Sequence, residues 1–246
     1  MSPASGTGQS RDSVAANARY FLEHLNEYDR SVAQIDTYAT IHRFISRKVA
    51  GVERLLDVGN GGVFCYDTAS VGSITAIDLF LEDLPDGLVK AHFPKNAKAR
   101  QGSALALPEP DGSFDMVLMV MLLHHLAGTD WRTSWDNARK ALAEAWRVLQ
   151  PGGKLLIVES CVPPWFFALE KPAFRVLASI AGSVLSHPIT FQYPFRMIEG
   201  ELRNKTSNVH IEQIPKGRYV LQFGFKTPSF ATPVQVYAFE AQKGEN

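Results

Sequence analysis

The run Arg54-Leu-Leu-Asp-Val-Gly-Asn-Gly-Gly62 restricts the fold more than any other stretch of this chain. Leu55, Leu56 and Val58 surround Asp57 as a short buried strand requires, and glycines then stand at 59, 61 and 62. A strand that runs into so tight a turn lets backbone approach a ligand with no Cβ in the way. Roughly twenty residues further on, the distance at which nucleotide-binding folds place an acid, a second β-rich run ends in Asp78. A carboxylate there suits the two vicinal hydroxyls of a ribose. Turn and acid together point to a nucleoside-containing cofactor.

The rest of the chain agrees with that reading. Apolar residues from Val14 to Val49 recur at helical steps, Tyr20, Phe21, Tyr28, Tyr38 and Ile41 among them. Short strands are then expected at Arg54–Val58, Ile74–Leu79, Ala97–Gln101, Phe114–Val120 and Lys154–Glu159, alternating with helical stretches. Thr133 to Leu149 reads as a helix that Gln150-Pro-Gly-Gly153 terminates. Alternation with nearly unbroken apolar strands means a parallel sheet covered on both faces. Pro163 to Ser186 reads as helical, with Pro172 kinking or dividing it, and two last strands are expected at Val209–Ile214 and Val234–Ala241. The expected organisation is a disordered tail over 1–12 and one domain over 13–246. Within that domain, helices span 13–50 and a helical cap about 163–205.

Charge excludes one class of partner. Lys plus Arg and Asp plus Glu both number 25, so there is no basic surplus to neutralise a nucleic-acid backbone. The two cysteines, Cys65 and Cys161, have neither metal nor redox spacing, which fits a reducing compartment and no bound metal. The longest apolar run, Met116 to Leu123, is far below the roughly 18 residues a membrane span needs. A cytoplasmic protein without stable membrane insertion, monomer or homodimer, is expected.

Three further segments carry candidate chemistry. Gln101-Gly-Ser-Ala-Leu-Ala-Leu-Pro108 follows the third strand, where Ser103 can reach an adenine edge. His124 and His125 follow the fourth strand, and either suits a general base or a hydrogen-bond partner. A histidine merely packed at a helix start is the more frequent use of that residue type. Glu159, His187 and Tyr193 are further base candidates, and Glu159 serves equally as a structural carboxylate.

Leu56-Asp-Val-Gly-Asn-Gly, Ile77-Asp78, Gly102-Ser-Ala-Leu-Ala-Leu-Pro108, Ser113-Phe-Asp-Met-Val-Leu118, Leu123-His-His-Leu126 and Ala145-Trp-Arg-Val-Leu-Gln-Pro-Gly-Gly-Lys-Leu-Leu156 stand in that order. Together they resemble the class I S-adenosylmethionine-dependent methyltransferases, in the small-molecule branch typified by ubiquinone and menaquinone biosynthesis. The resemblance implies a Rossmann-like, doubly wound, mostly parallel α/β sheet of seven strands, an antiparallel C-terminal strand pair and a helical lid. It implies S-adenosyl-L-methionine as cofactor, with Asp57, Gly59, Asn60 and Gly61 on its methionine and ribose side. Asp78 would bind the ribose hydroxyls, Leu79 would flank the adenine, and Ser103 and Ala104 would meet its edge. Met119 and Val120 would approach the sulfonium by backbone. His124 would lie near the transferred methyl, and His124 and His125 are the catalytic candidates.

This chain departs from the pattern at three places. Val63 stands where a third glycine is common, Ser103 stands where an acid often holds the adenine amino group, and the segment from Gly61 to Asp78 is short. The first predicts an altered turn. The second implies a loss of roughly 1 kcal/mol in cofactor affinity. The third predicts a first helix trimmed or displaced.

Aromatic residues of 163–197 would wall a pocket for a small, largely apolar acceptor. Methyl transfer is expected in secondary or quinone-type metabolism, with oxygen favoured over carbon or nitrogen as acceptor. The alternatives are a non-catalytic binding or scaffold protein on this fold, and the same fold directing a cyclisation or rearrangement.

Overall fold

The structure, a computed structural model, describes residues 36–79, 81, 93–180, 190–222 and 225–245. The expected tail, the helical reading before residue 36, and His187 lie outside the described residues.

The elements in chain order are helix α1 (Asp36–Val49), strands β1 (Arg54–Val58), β2 (Ser73–Asp78), β3 (Ala97–Gln101) and β4 (Phe114–Val120), helix α2 (Trp131–Val148), strand β5 (Leu149–Cys161), helices α3 (Pro164–Ile180) and α4 (Phe195–Arg203), and strands β6 (Val209–Ile214), β7 (Tyr219–Gln222), β8 (Phe225–Pro228) and β9 (Gln235–Gln242). Seven strands form one sheet in the order β3-β2-β1-β4-β5-β9-β6, and β7 pairs with β8 alone. Strands β1 to β5 are parallel. Strand β9 runs antiparallel to both β5 and β6, which gives the expected C-terminal pair. Strand order reverses between β1 and β4. In open α/β sheets, ligands bind outside the carboxyl ends of the strands at such a switch point.

Period-two alternation inside these strands sends neighbouring side chains to opposite faces, and both faces are covered. Leu55, Ile74, Met116, Leu118, Leu156 and Val158 pack with Ile41, Phe44, Ile45 and Val49 of α1. Leu56, Val58, Ile77, Val117, Met119 and Ile157 pack with Ala138, Ala141, Leu142, Ala145 and Val148 of α2. The small alanines let α2 lie close to the sheet.

The crossover from β1 to β2 holds only a three-residue 3-10 turn, Thr68–Ser70, whose N-cap Asp67 accepts a hydrogen bond from the Ala69 N–H. The expected trimming of the first helix is therefore extreme. Tyr66 and Val71 fill the α1 face where a longer crossover would supply a helix.

Two expectations need correction. Helix α3 runs through Pro172 as one element, so the proline removes one backbone donor without dividing the helix. Strand β5 begins at Leu149 and runs through Pro151, Gly152 and Gly153, where a turn was expected. Leu149 pairs with Phe114, and the register then shifts before Met116 meets Lys154, so the bulge absorbs the extra residues. No helix among the described residues is long and apolar enough to cross a membrane.

Helix α2 is closed at both ends by side chains. Asp130 accepts from the Thr133 N–H at 2.9 Å. At the other end the Lys243 ammonium donates to the Trp146 carbonyl at 2.9 Å and the Leu149 carbonyl at 2.6 Å. A cation among the last carbonyls also answers the negative end of the helix dipole. Replacing Lys243 by methionine should cost about 1–2 kcal/mol and lower the melting temperature by about 2–8 °C in thermal denaturation. Replacing Lys154, whose pair with Glu240 spans 3.9 Å at an exposed site, should change it by less than about 2 °C.

Candidate active site

The carboxyl ends of β1, β4 and β5 lie side by side, with Val58 beside Met119 and Val120 beside Val158. On the β1 side the chain turns through Gly59, at φ +74°, and its N–H donates to the Ile77 carbonyl at 2.8 Å. A Cβ at Gly59 would sit 2.5 Å from Leu122 Cδ1, so the turn after β1 and the turn after β4 touch at this point. Gly61 and Gly62 also have positive φ.

Side chains hold this turn in place of a following helix. The Asn60 amide donates to Asp57 Oδ2 at 2.6 Å and to the Val63 carbonyl at 3.0 Å, and its own oxygen accepts from the Gly62 N–H at 3.0 Å. The Tyr66 hydroxyl donates to the same Asp57 oxygen at 2.9 Å. Asp57 is buried, and burial pushes its carboxyl up to about 7 in spite of these two donors.

Asp78 faces the turn across the sheet edge. Its Oδ2 accepts from the Gly61 N–H at 3.0 Å and its Oδ1 from the Leu79 N–H at 2.6 Å. The loop after β3 is docked beside it, because the Gly102 N–H donates to the Asp78 carbonyl at 2.9 Å. Within that loop Ser103 Oγ accepts from the Leu105 N–H at 3.2 Å, and Ala104 is buried. Ser103 and Ala104 thus flank the same edge as Asp78 and Leu79. The loop itself is fastened to α2. Arg147 donates to the Leu107 and Glu109 carbonyls at 3.0 and 2.8 Å, and Glu144 accepts from the Leu107 N–H at 2.8 Å.

Met119, near the end of β4, is fully buried, and just past the strand Met121 takes φ 51°, the single positive-φ non-glycine among the described residues. The chain bends there into the 3-10 turn Leu123–His125. A bulky residue in that conformation persists only where its surroundings impose it. The Met121 N–H donates to the Val158 carbonyl at 2.7 Å, which pins the bend to β5.

The bend delivers His124 to Glu159. The two groups meet at 2.5 Å, Nδ1 to Oε1. Glu159 is fully buried and also accepts from the Leu123 N–H at 2.7 Å and the Ser160 N–H at 2.8 Å. A carboxylate only accepts, so Nδ1 carries a proton; in the neutral imidazole Nε2 then offers a lone pair. The His125 ring lies against His124, tilted by 42° with centroids 4.1 Å apart. Gln192 donates to Ser160 Oγ at 2.9 Å, and the Phe191 N–H donates to the His124 carbonyl at 2.9 Å. Sequence reading missed Tyr66, Met121, Ser160 and Gln192 as parts of this site. Only Met121, at a strand end just before the histidine pair, carried any local signal.

The geometry is therefore a glycine turn, an acidic residue on the next strand and a histidine–glutamate pair, all at one end of a sheet with a reversed strand order. A family model described as a methyltransferase domain matches residues 56–157. The demethylmenaquinone methyltransferase of Tropheryma whipplei is 32% identical over 183 residues, covering 70% of this chain and 71% of that protein. A ubiquinone/menaquinone biosynthesis C-methyltransferase, UbiE, of Serratia proteamaculans is 30% identical over 154 residues, 57% of each chain. Among solved structures, 1,6-didemethyltoxoflavin-N1-methyltransferase of Burkholderia thailandensis, with 1,6-didemethyltoxoflavin and S-adenosylhomocysteine bound, superposes at TM-score 0.63. That alignment covers 99% of this chain and 93% of the other at 14% identity, a likeness of fold.

Burial of Asp57 generates a pH-dependent stability. An acid whose folded pKa lies near 7, against an ordinary 3.8, binds its proton more tightly in the folded state. Stability contributed at this site therefore falls as pH rises from about 4 to about 7, by at most about 1.4 kcal/mol per unit. Asp57→Asn removes the titration. Its stability relative to the parent protein should rise with pH between 5 and 7 in urea denaturation, and a constant difference would contradict this account.

Proposed function

The chain belongs to the class I S-adenosylmethionine-dependent methyltransferases, and from that premise we propose that it methylates a hydroxyl of a small, largely apolar, aromatic acceptor. The observation that carries the proposal is the pairing of His124 with the buried carboxylate of Glu159, next to the glycine turn. S-adenosyl-L-methionine is the cofactor of this family, and the residues present fit it. Asp78 accepts the Gly61 and Leu79 N–H groups, which fixes its carboxylate at the sheet edge where a ribose would lie. The backbone of Gly59 and Gly61 and the side chain of Leu79 offer the surfaces over which an adenosine would lie. Ser103 and Ala104 stand at the adenine edge. Asp57 acts through Asn60, holding the turn open where a helix would otherwise support it.

When bound, the cofactor supplies an electrophilic methyl on a sulfonium. An acceptor oxygen would take up that methyl and give up its own proton. The acceptor's proton passes to His124 Nε2. Glu159 holds the ring through Nδ1 and stabilises the imidazolium that results. Glu159 is a positioning residue for this step, held from behind by the Leu123 and Ser160 N–H groups. The aromatic rings of Phe167, Phe191 and Trp135 suit an apolar acceptor and exclude water from the sulfonium.

A second reading is methylation at carbon. The printed name of the Serratia proteamaculans relative, a C-methyltransferase of quinone biosynthesis, favours it. The same base then removes a phenolic proton so that the adjacent ring carbon attacks. Product analysis separates the two, since both add one carbon and two hydrogens but only the first gives a methyl ether.

Replacing Asp78 by alanine should raise the dissociation constant for S-adenosylhomocysteine about 10–100-fold in calorimetric titration, the range for losing one charged acceptor. His124→Gln should lower kcat about 10²–10⁴-fold, with that dissociation constant unchanged. An unchanged kcat in His124→Gln would remove the histidine from the chemistry.

A further inference from the structure

Two polar atoms in the apolar wall near this site have no hydrogen-bond partner among the described residues. They are the Tyr193 hydroxyl and Glu170 Oε2. Tyr193 is fully buried, so its hydroxyl is cut off from bulk water. Buried polar groups in folded proteins are nearly always paired, because an unpaired one keeps its full desolvation cost. Two orphans in one wall are most economically explained by a shared ligand that supplies what both lack.

Their position says which ligand. Tyr193 lies on the strip that also touches the proposed base. The Val162 N–H donates to the Tyr193 carbonyl at 3.1 Å, while the Phe191 N–H donates to the His124 carbonyl. The Tyr193 ring packs against Trp135 at 5.0 Å and Phe191 at 5.5 Å. Phe191 in turn meets Phe167 of α3 at 5.6 Å, and Phe167 meets Trp131 at 6.3 Å. Glu170 stands three residues after Phe167, on the same side of the helix. Burial, then the carboxylates of Glu159 and Glu170, hold the Tyr193 phenol in its neutral form. Burial also pushes the Glu170 carboxyl up to about 7.

Resting on the methyl-transfer reading above, we propose that Tyr193 and Glu170 form the recognition end of the acceptor pocket and select an aromatic acceptor that carries a second hydroxyl besides the one methylated. A phenolic hydroxyl can satisfy either orphan, since its oxygen accepts from Tyr193 and its proton is donated to Glu170. A hydrocarbon or monohydric acceptor leaves both unpaired, which a site built to bond a hydroxyl penalises heavily. The aromatic rings between the pair and His124 hold the acceptor's body, and the two hydroxyls then face opposite ends of the pocket.

The test uses 2-naphthol and its 2,3-, 2,6- and 2,7-dihydroxy counterparts as probes with the full chain. At least one dihydroxy isomer should exceed 2-naphthol in kcat/KM by tenfold or more. Tyr193→Phe and Glu170→Gln should each bring that ratio to within threefold, through the dihydroxy isomer. The melting temperature of ligand-free Tyr193→Phe should stay the same or rise, because a buried hydroxyl without a partner is being removed. A fall in melting temperature with the substrate ratio preserved would make the hydroxyl structural and overturn the proposal. So would the absence of preference for any dihydroxy isomer. If S-adenosylhomocysteine binds but none of the probes is methylated, the recognition pair is overturned and the cofactor site stands. If S-adenosylhomocysteine does not bind either, the methyl-transfer reading itself fails.

Discussion

The carboxylate of Glu159 is the constraint around which this site is arranged. A charge at zero exposure is tolerated only where several donors converge on it, and here the N–H groups of Leu123 and Ser160 and the His124 ring all do. Those donors come from two different elements, the end of β5 and the turn after β4. The carboxylate therefore fixes how the β4 turn leaves the sheet, and Met121 accepts an uncommon backbone conformation as part of that arrangement. The same turn carries Leu122 against Gly59. A side chain at Gly59 would have to displace the Leu122 side chain and adopt φ +74°, a conformation that favours glycine.

On the other side of the switch point the problem is different. A parallel sheet of this order usually has a helix in each crossover, and the first crossover here has almost none. Its role in supporting the glycine turn passes to hydrogen bonds between side chains. Asp57, Asn60 and Tyr66 form a small buried network, while the backbone of Gly61 leans on Asp78. The network is compact enough for a short crossover, but it places a carboxyl in an apolar setting, and that carboxyl titrates near neutrality as a result.

Much of the fold was legible because parallel strands buried on both faces leave runs that periodicity detects. β1 and β4, buried along most of their length, have the bounds that their apolar pattern predicts, and the mostly exposed edge strands β3 and β6 have their expected bounds without such a pattern. The sequence misled where tertiary contacts override local rules. Gln150-Pro-Gly-Gly153 has turn chemistry, yet β5 runs through it because β4 and the chain around Lys243 supply partners. Pro172 breaks helices in isolation, but α3 continues past it. Site legibility follows the same division. Asp57, Gly59, Gly61 and Asp78 lie on a motif that a single stretch encodes. His124 and Glu159 are 35 residues apart, and nothing local distinguishes His124 from His125. Only the packing of β4 beside β5 brings one of the two histidines to the carboxylate. Tyr193 stands out in the sequence only as a base candidate, since an unpaired buried hydroxyl has no sequence signature.

The central claim is that the ends of β1, β4 and β5 form one reaction centre, with adenosine over the glycine turn and His124 at the transferred methyl. A crystal structure with S-adenosylhomocysteine bound tests it most directly. The account predicts the ribose on Asp78, the adenine between Leu79 and the Ser103 loop, and the sulfur facing His124 Nε2 across a gap that fits an acceptor. Adenosine bound elsewhere, or a sulfur turned away from His124 with the His124–Glu159 pair intact, would contradict it.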